Sequence, residues 1–219
     1  MKTVVAMLVL VFAAAAAPAA AFVDAGSGRP TPPVAAEARE CPRPEIRWRD
    51  SVALGSPAAG RLVRGVRLPR EASAFFTWDP LLHRAPNRAG RRWGTDRLVR
   101  VVLRVVRQYA RAHPHAPRVG VGDLSRPRGG PFGPKHASHQ NGLDADVYYP
   151  RLDRRERPPR RVDQIDRRLA QDLVRRFVRA GAEIVYVGPN TGFRGSAGVV
   201  RVLSNHDNHL HVRIGATPD

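Results

Sequence analysis

Five of the eight histidines fall in two tight groups, His136 with His139 and then His206, His209 and His211. Neutral imidazole is a ligand for divalent metals and titrates near physiological pH, so clustered histidines suit metal binding and proton transfer. The first group continues as His139-Gln140-Asn141-Gly142-Leu143-Asp144-Ala145-Asp146, with Gly142 placed to turn the chain before the carboxylates. In an extended segment side chains alternate between faces, which puts Asp144, Asp146 and Tyr148 on one side and Ala145, Val147 and Tyr149 on the other. By the same rule His209 and His211 share a face opposite Leu210, Val212 and Ile214. If the two stretches pair as neighbouring strands, His139, Asp146 and His211 meet on one polar patch backed by an apolar core. Two imidazoles, one carboxylate and an open fourth position are the usual ligand set of a catalytic zinc. Either group alone reads better as exposed polar residues on solvent-facing strands; together they favour a metal site. His136 fits either an additional ligand or a group supporting one.

The elements that would position these residues form an α+β pattern. Thr95 stands where a helix N-cap belongs, and Leu98, Val102, Val105, Val106 and Tyr109 follow on one face until His113-Pro114 stops the turn. A second helix is predicted over 163–180, with Ile165, Leu169, Leu173, Phe177 and Val178 as its stripe and Gly181 as terminator. Strands are predicted over 62–68, 118–124, 144–149, 183–187, 199–203 and 210–214. We expect a single domain with a central antiparallel sheet carrying the metal ligands and two main helices packed on it. The charge run 151–161 reads as a solvated loop.

The composition narrows the function. Of 219 residues 42% are hydrophobic, too many for a disordered polycation. Cys41 is the single cysteine, which excludes an internal disulfide framework and any zinc site built on paired thiolates. Lys plus Arg outnumber Asp plus Glu by 37 to 19, a formal net charge of +18, and only Lys2 and Lys135 are lysines. Arginine in such excess invites nucleic acid as a partner. Against that stand an aromatic content of 6%, the absence of a recognised binding motif, and an export signal. Residues 4–17 are an apolar run, and Pro18 with the Ala19-Ala20-Ala21 string suits a signal peptide over 1–21 cleaved before Phe22. The alternative is an uncleaved membrane anchor, the one membrane contact expected of the chain. Residues 22–45 read as a disordered leader and 46–219 as the folded domain. Outside the membrane, wall carboxylates and anionic wall polymers are the polyanions a basic exported protein meets. The Gly129-Gly130-Pro131-Phe132-Gly133 loop has no Gly-Lys-Ser/Thr after it, so it reads as a cleft wall and not a phosphate cradle.

The stretch VGDLSRPRGGPFGPKHASHQNGLDAD over 121–146 resembles the penicillin-insensitive murein endopeptidases, of the zinc peptidase group that includes lysostaphin-type enzymes and D-Ala-D-Ala carboxypeptidases. SVALGSPAAGRLVRGVRLP over 51–69, NRAGRRWG over 87–94 and the His209-Leu210-His211 ending are similar to that family too. The resemblance implies zinc held by His139, Asp146 and His211, and peptidoglycan cross-links as substrate, cut between D-alanine and a diamino acid. It departs in having a single cysteine and no histidine between His139 and His206, which leaves a second metal site without ligands. His206, in the Asn205-His206-Asp207-Asn208 turn, is the first choice for general base and His209 for a donor to the tetrahedral oxyanion, with the reverse assignment open. His136 remains an additional ligand, and Arg126, Gln140 and Asp144 are expected at the substrate. An exported carboxypeptidase of the D-Ala-D-Ala type and a non-catalytic wall-binding domain are the competing readings. The oligomeric state is not fixed by the sequence.

Overall fold

The computed structural model describes residues 45–133 and 136–216. The signal segment and nearly all of the leader lie outside the described residues. Eleven strands and two α-helices follow in chain order: β1 (Val52–Ser56), β2 (Ala59–Val63), β3 (Val66–Arg67), β4 (Glu71–Ala72), β5 (Phe75–Thr77), β6 (Trp93–Gly94), α1 (Asp96–Ala112), β7 (Val119–Val121), β8 (Asp144–Tyr148), α2 (Arg167–Arg179), β9 (Ala182–Val187), β10 (Val200–Val202) and β11 (His209–Ile214).

Both helices begin at a capping side chain. Thr95 accepts from the Leu98 amide at 3.1 Å, as its position predicts. α2 starts four residues later than its apolar stripe suggests, because Asp166 takes the cap by accepting from the Leu169 amide at 3.0 Å. Ile165 is thereby left extended and bridges to Arg151. Leu98, Val102, Val105, Val106 and Tyr109 of α1 and Leu169, Leu173 and Phe177 of α2 are all buried in one core.

The main sheet has seven strands in the order β10-β9-β11-β8-β7-β5-β4. Its centre, β9-β11-β8-β7, is antiparallel as expected. The sheet as a whole is mixed, since β10 runs parallel to β9 and β5 parallel to β7. The latter follows from the connection: α1 carries the chain from β5 to β7, and a crossover of that length returns the strand in the same direction. The predicted strand over 62–68 is broken after Val63, where Arg64 takes a φ of 49° and the chain leaves the β1-β2 hairpin to pair β3 with β6. Residues 151–161 lie outside strands and helices and are mostly exposed, although Arg151 folds inward onto Asp153 at 2.6 Å.

Ala145 and Val147 of β8 and Leu210, Val212 and Ile214 of β11 all belong to the core. The alternate residues of both strands must therefore face the other way, which fixes where the polar side chains converge. Among the described residues no helix is long and apolar enough to cross a membrane.

Candidate metal centre

β11 lies antiparallel to β8 with His211 opposite Asp146, His209 opposite Tyr148 and Arg213 opposite Asp144. This register joins residues 65 positions apart and places His211 Nδ1 3.1 Å from Asp146 Oδ1. His139 comes from the preceding loop. It takes a φ of 68°, and Gly142 turns the chain behind it with a φ of 78°. That loop geometry brings His139 Nε2 to 3.3 Å from the same Asp146 oxygen. His139, Asp146 and His211 are each at least nine-tenths buried.

Hydrogen bonding assigns the nitrogens. His139 Nδ1 meets the Leu124 carbonyl oxygen, which can only accept, so the proton sits on Nδ1 and Nε2 presents its lone pair to the site. His211 Nε2 lies 3.4 Å from Asp144 Oδ1, too loosely placed to count as a closed hydrogen bond. Nδ1 is hydrogen-bonded to the ionised Asp146, which can only accept, so it carries a proton here, and a metal bound at Nδ1 would take that proton's place. Carboxylate or carbonyl behind, metal in front is the usual setting of a ligating histidine. Tetrahedral zinc with bonds of about 2.0–2.1 Å separates its ligand atoms by roughly 3.3 Å. The observed 3.1 and 3.3 Å match that edge.

Asp146 has the electrostatics of a ligand. Its ion-pair contacts among the described residues are all histidines: His139, His211, His209 at 3.8 Å and His136 at 3.9 Å. Burial alone would raise its pKa, but the surrounding imidazoles hold it well below the usual carboxylate range. Burial likewise opposes protonation of His211, yet Asp144 and Asp146 raise it to about 9. Two buried carboxylates that draw a proton onto the imidazole between them form a site built for a cation. Together, His136, His139 and Asp146 could hold a metal ion.

Among the described residues, the three whose ligand atoms all lie within 4.8 Å of one another are His136, His139 and Asp146; His211 reaches Asp146 but is not in that group. His136 Nε2 is nearer Asp123, at 3.2 Å, than Asp146. Asp123 is fully buried and was not singled out from the sequence, because no periodicity marks it. Arg91 grips it at 2.7 and 2.5 Å, and Asn87 donates to it at 2.9 Å. Gly122 allows this close approach, since a Cβ there would stand 3.1 Å from both Asp146 and Tyr148. Phe132 of the glycine-rich loop closes one wall, its ring centroid 5.3 Å from His139 and 4.9 Å from His136.

Asp144 differs from the expectation that it contacts substrate. It is fully buried, accepts from the His139 backbone amide at 3.0 Å and from Arg213 at 2.8 and 3.2 Å, and faces His211. With both oxygens engaged inside the protein, it braces the His139 backbone and stands behind His211, and it has no exposed surface. Arg213 continues the alternation of β11, a signal the sequence contained. Arg126 is exposed and donates to the Phe132 carbonyl oxygen at 3.3 Å, so it braces the cleft wall. Gln140 is half-buried, its backbone tied to Pro57 at 3.0 Å and Gly130 at 2.9 Å.

His206 and His209 stand at the rim with ring centroids 4.7 Å apart. His206 Nδ1 donates to the Ser204 carbonyl oxygen at 2.8 Å, leaving Nε2 as an unprotonated acceptor. Asp207 anchors their turn by accepting from the Asn190 amide at 3.0 Å and its side chain at 2.7 Å. His209 Nδ1 pairs with the Asn208 side chain at 2.6 Å. Burial lowers the pKa of both, that of His209 to about 4, so both are neutral imidazoles in this setting.

Residues 53–180 match the sequence model of the penicillin-insensitive murein endopeptidases, a span of more than half the chain that includes Asp123, His136, His139, Asp144 and Asp146. The chain belongs to this family. It is therefore a peptidase of the murein endopeptidase kind, whose substrate is peptidoglycan. The match ends before His206, His209 and His211; His209 and His211 stand on β11 beside β8, and His206 lies in the turn just before β11. Comparison with curated proteins gives no match.

Proposed function

We propose that this protein is a zinc-dependent, exported murein endopeptidase that hydrolyses the D-alanyl to diamino-acid amide of the peptidoglycan cross-link. His139, Asp146 and His211 would hold the zinc, with His136 beside them. The observation that carries this reading is the convergence of His139 Nε2 and His211 Nδ1 on one buried Asp146 oxygen at 3.3 and 3.1 Å. Bound there, zinc would supply Lewis acidity to the scissile carbonyl and acidify the attacking water.

The chain's own residues do the rest. His206, with Nδ1 held by the Ser204 carbonyl, offers Nε2 to take a proton from the attacking water. The same nitrogen then delivers that proton to the departing amine, so the C–N bond breaks as the new C–O bond is kept. His209 stabilises the oxyanion when Asn208 turns its amide NH2 toward Nδ1, which moves the ring proton to Nε2. Arg126 and Gln140, on the loop that carries Phe132 and His139, are the residues we assign to the substrate. A wall substrate supports export, and with it residues 1–21 as a signal peptide, 22–45 as a leader and 46–219 as the catalytic domain.

Digestion of purified peptidoglycan, with the products weighed, tests the reading. The expected result is loss of cross-linked dimers to monomers, abolished by a chelator and untouched by penicillin, because the proposed reaction uses no serine or cysteine nucleophile that a β-lactam could acylate. Chelator-resistant activity, or release of only a terminal D-alanine, would overturn it.

A further inference from the structure

Side chains of residues 87–92 point two ways. Asn87 and Arg91 reach Asp123 beneath the metal centre. Arg88 and Arg92, with Arg67, Arg70 and Arg84, line a separate cavity of about 940 Å³. Of these five guanidiniums only Arg88 has a carboxylate partner among the described residues, the buried Asp79. The two acids on the wall do not neutralise the others: Glu71 pairs with Arg118 at 2.9 Å, and Glu45 makes no ion pair among the described residues.

Arg92 is the unusual member. It is 4% exposed, its Nη1 donates to the Leu68 carbonyl oxygen, and its buried Nε has no hydrogen-bond partner. Burial, with Arg67 and Arg70 adding like charge, pushes its pKa down to about 10. A buried cation facing two more cations is unfavourable unless an anion completes the group. The guanidinium fork matches oxyanion geometry and binds it bidentately. One fork satisfies a carboxylate, whereas several converging forks suit the three or four oxygens and higher charge of a phosphate.

We propose that this cavity is an anion site distinct from the metal centre, taking a phosphate ester with Arg92 at its base and Arg67, Arg70 and Arg84 around it. The cavity exceeds a phosphate group, so it admits the polyol or sugar on which the phosphate is carried. Such a site would fasten the enzyme to phosphate-bearing polymer of the wall while the metal centre works on the peptide.

Calorimetric titration of the zinc-loaded protein with inorganic phosphate, glycerol phosphodiester and acetate, at constant ionic strength, tests this. One saturable site for phosphate and the phosphodiester, with Tm rising as phosphate is added, is expected. The surface pair Arg67→Ala/Arg70→Ala should weaken phosphate binding at least about tenfold, as should Arg92→Met, while the exposed pair Arg157→Ala/Arg160→Ala leaves it unchanged. Because Arg67 and Arg70 are exposed, their variant stays folded even if Arg92→Met does not. Equal loss in both exposed pairs would reduce the effect to diffuse charge and overturn the proposal. Retention in the Arg67/Arg70 variant, or acetate binding as tightly as phosphate, would overturn it as well.

Discussion

Asp144→Asn separates a residue that positions the metal ligands from one that contacts substrate. The carboxylate is ionised, since His211 and Arg213 outweigh the burial that would otherwise raise its pKa. It serves the His139 amide at 3.0 Å, Arg213 at 2.8 and 3.2 Å and His211 Nε2 at 3.4 Å. An asparagine of the same shape retains one acceptor oxygen. Its NH2 would face Arg213 together with either His211 Nε2 or the His139 backbone N–H, donor against donor. His211 then loses the negative charge behind its ring, and the half-buried Arg213 loses its counter-charge. Removal of such a supporting group weakens metal binding by about 10–100-fold, or roughly 1.4–2.8 kcal/mol. Competition for zinc against a chromophoric chelator at pH 7 reads this directly, and kcat and KM on a soluble cross-linked muropeptide at saturating zinc read the substrate side. A weaker zinc Kd with an unchanged KM is the expected outcome. An unchanged zinc Kd with a raised KM would return Asp144 to the substrate and refute the reasoning.

Metal analysis of the wild type should give about one zinc per chain, and alanine at His139, Asp146 or His211 should abolish it; near-stoichiometric zinc in the Asp146→Ala protein would refute the ligand set. His206→Ala should keep its zinc and lose roughly 10²–10⁴ in turnover, while His209→Ala loses on the order of 10²–10³ with the basic limb of the pH profile intact. If the His206 variant keeps near-full rate, His209 is the base. Asp79 accepts from the Leu81 and Leu82 amides at 2.9 and 3.0 Å and pairs with Arg88, contacts that outweigh burial and hold its pKa below the ordinary 3.8. Its contribution is complete above that unfolded value and is lost as pH falls through the lower folded one. Denaturant melts should therefore find Asp79→Asn less stable at neutral pH by about 1–3 kcal/mol, with the gap narrowing as pH falls below 3.8; a gap that does not narrow with acidification would refute the assignment.

Local chemistry is what the sequence exposes well. The Thr95 cap, the stripes of both helices and the two-residue alternation through Asp144, Asp146, His209 and His211 depend only on neighbours within a few positions, and each recurs in the structure. The apolar stripe alone starts α2 at Asp163, four residues early, because Ile165 fits the helical spacing but is held extended by its pairing with Arg151, and Asp166 takes the cap. The short strands β4, β5 and β6 carry no periodicity long enough to read, and exist because partners distant in sequence pair with them.

By itself, then, the sequence determined which residue types could hold a metal, which side of each strand they occupy, the α+β class and the family resemblance. The tertiary structure alone decided that His211 lies opposite Asp146, that His139 in its left-handed loop reaches the same oxygen, and that Asp144 turns inward to support both. It also brought Asp123 beneath His136 and set the unpaired Arg92 in its cavity. The physical reason is range. Side-chain direction follows from backbone geometry a residue at a time, whereas strand register and loop closure are set by burying the apolar faces of distant segments together, and no local pattern encodes their outcome.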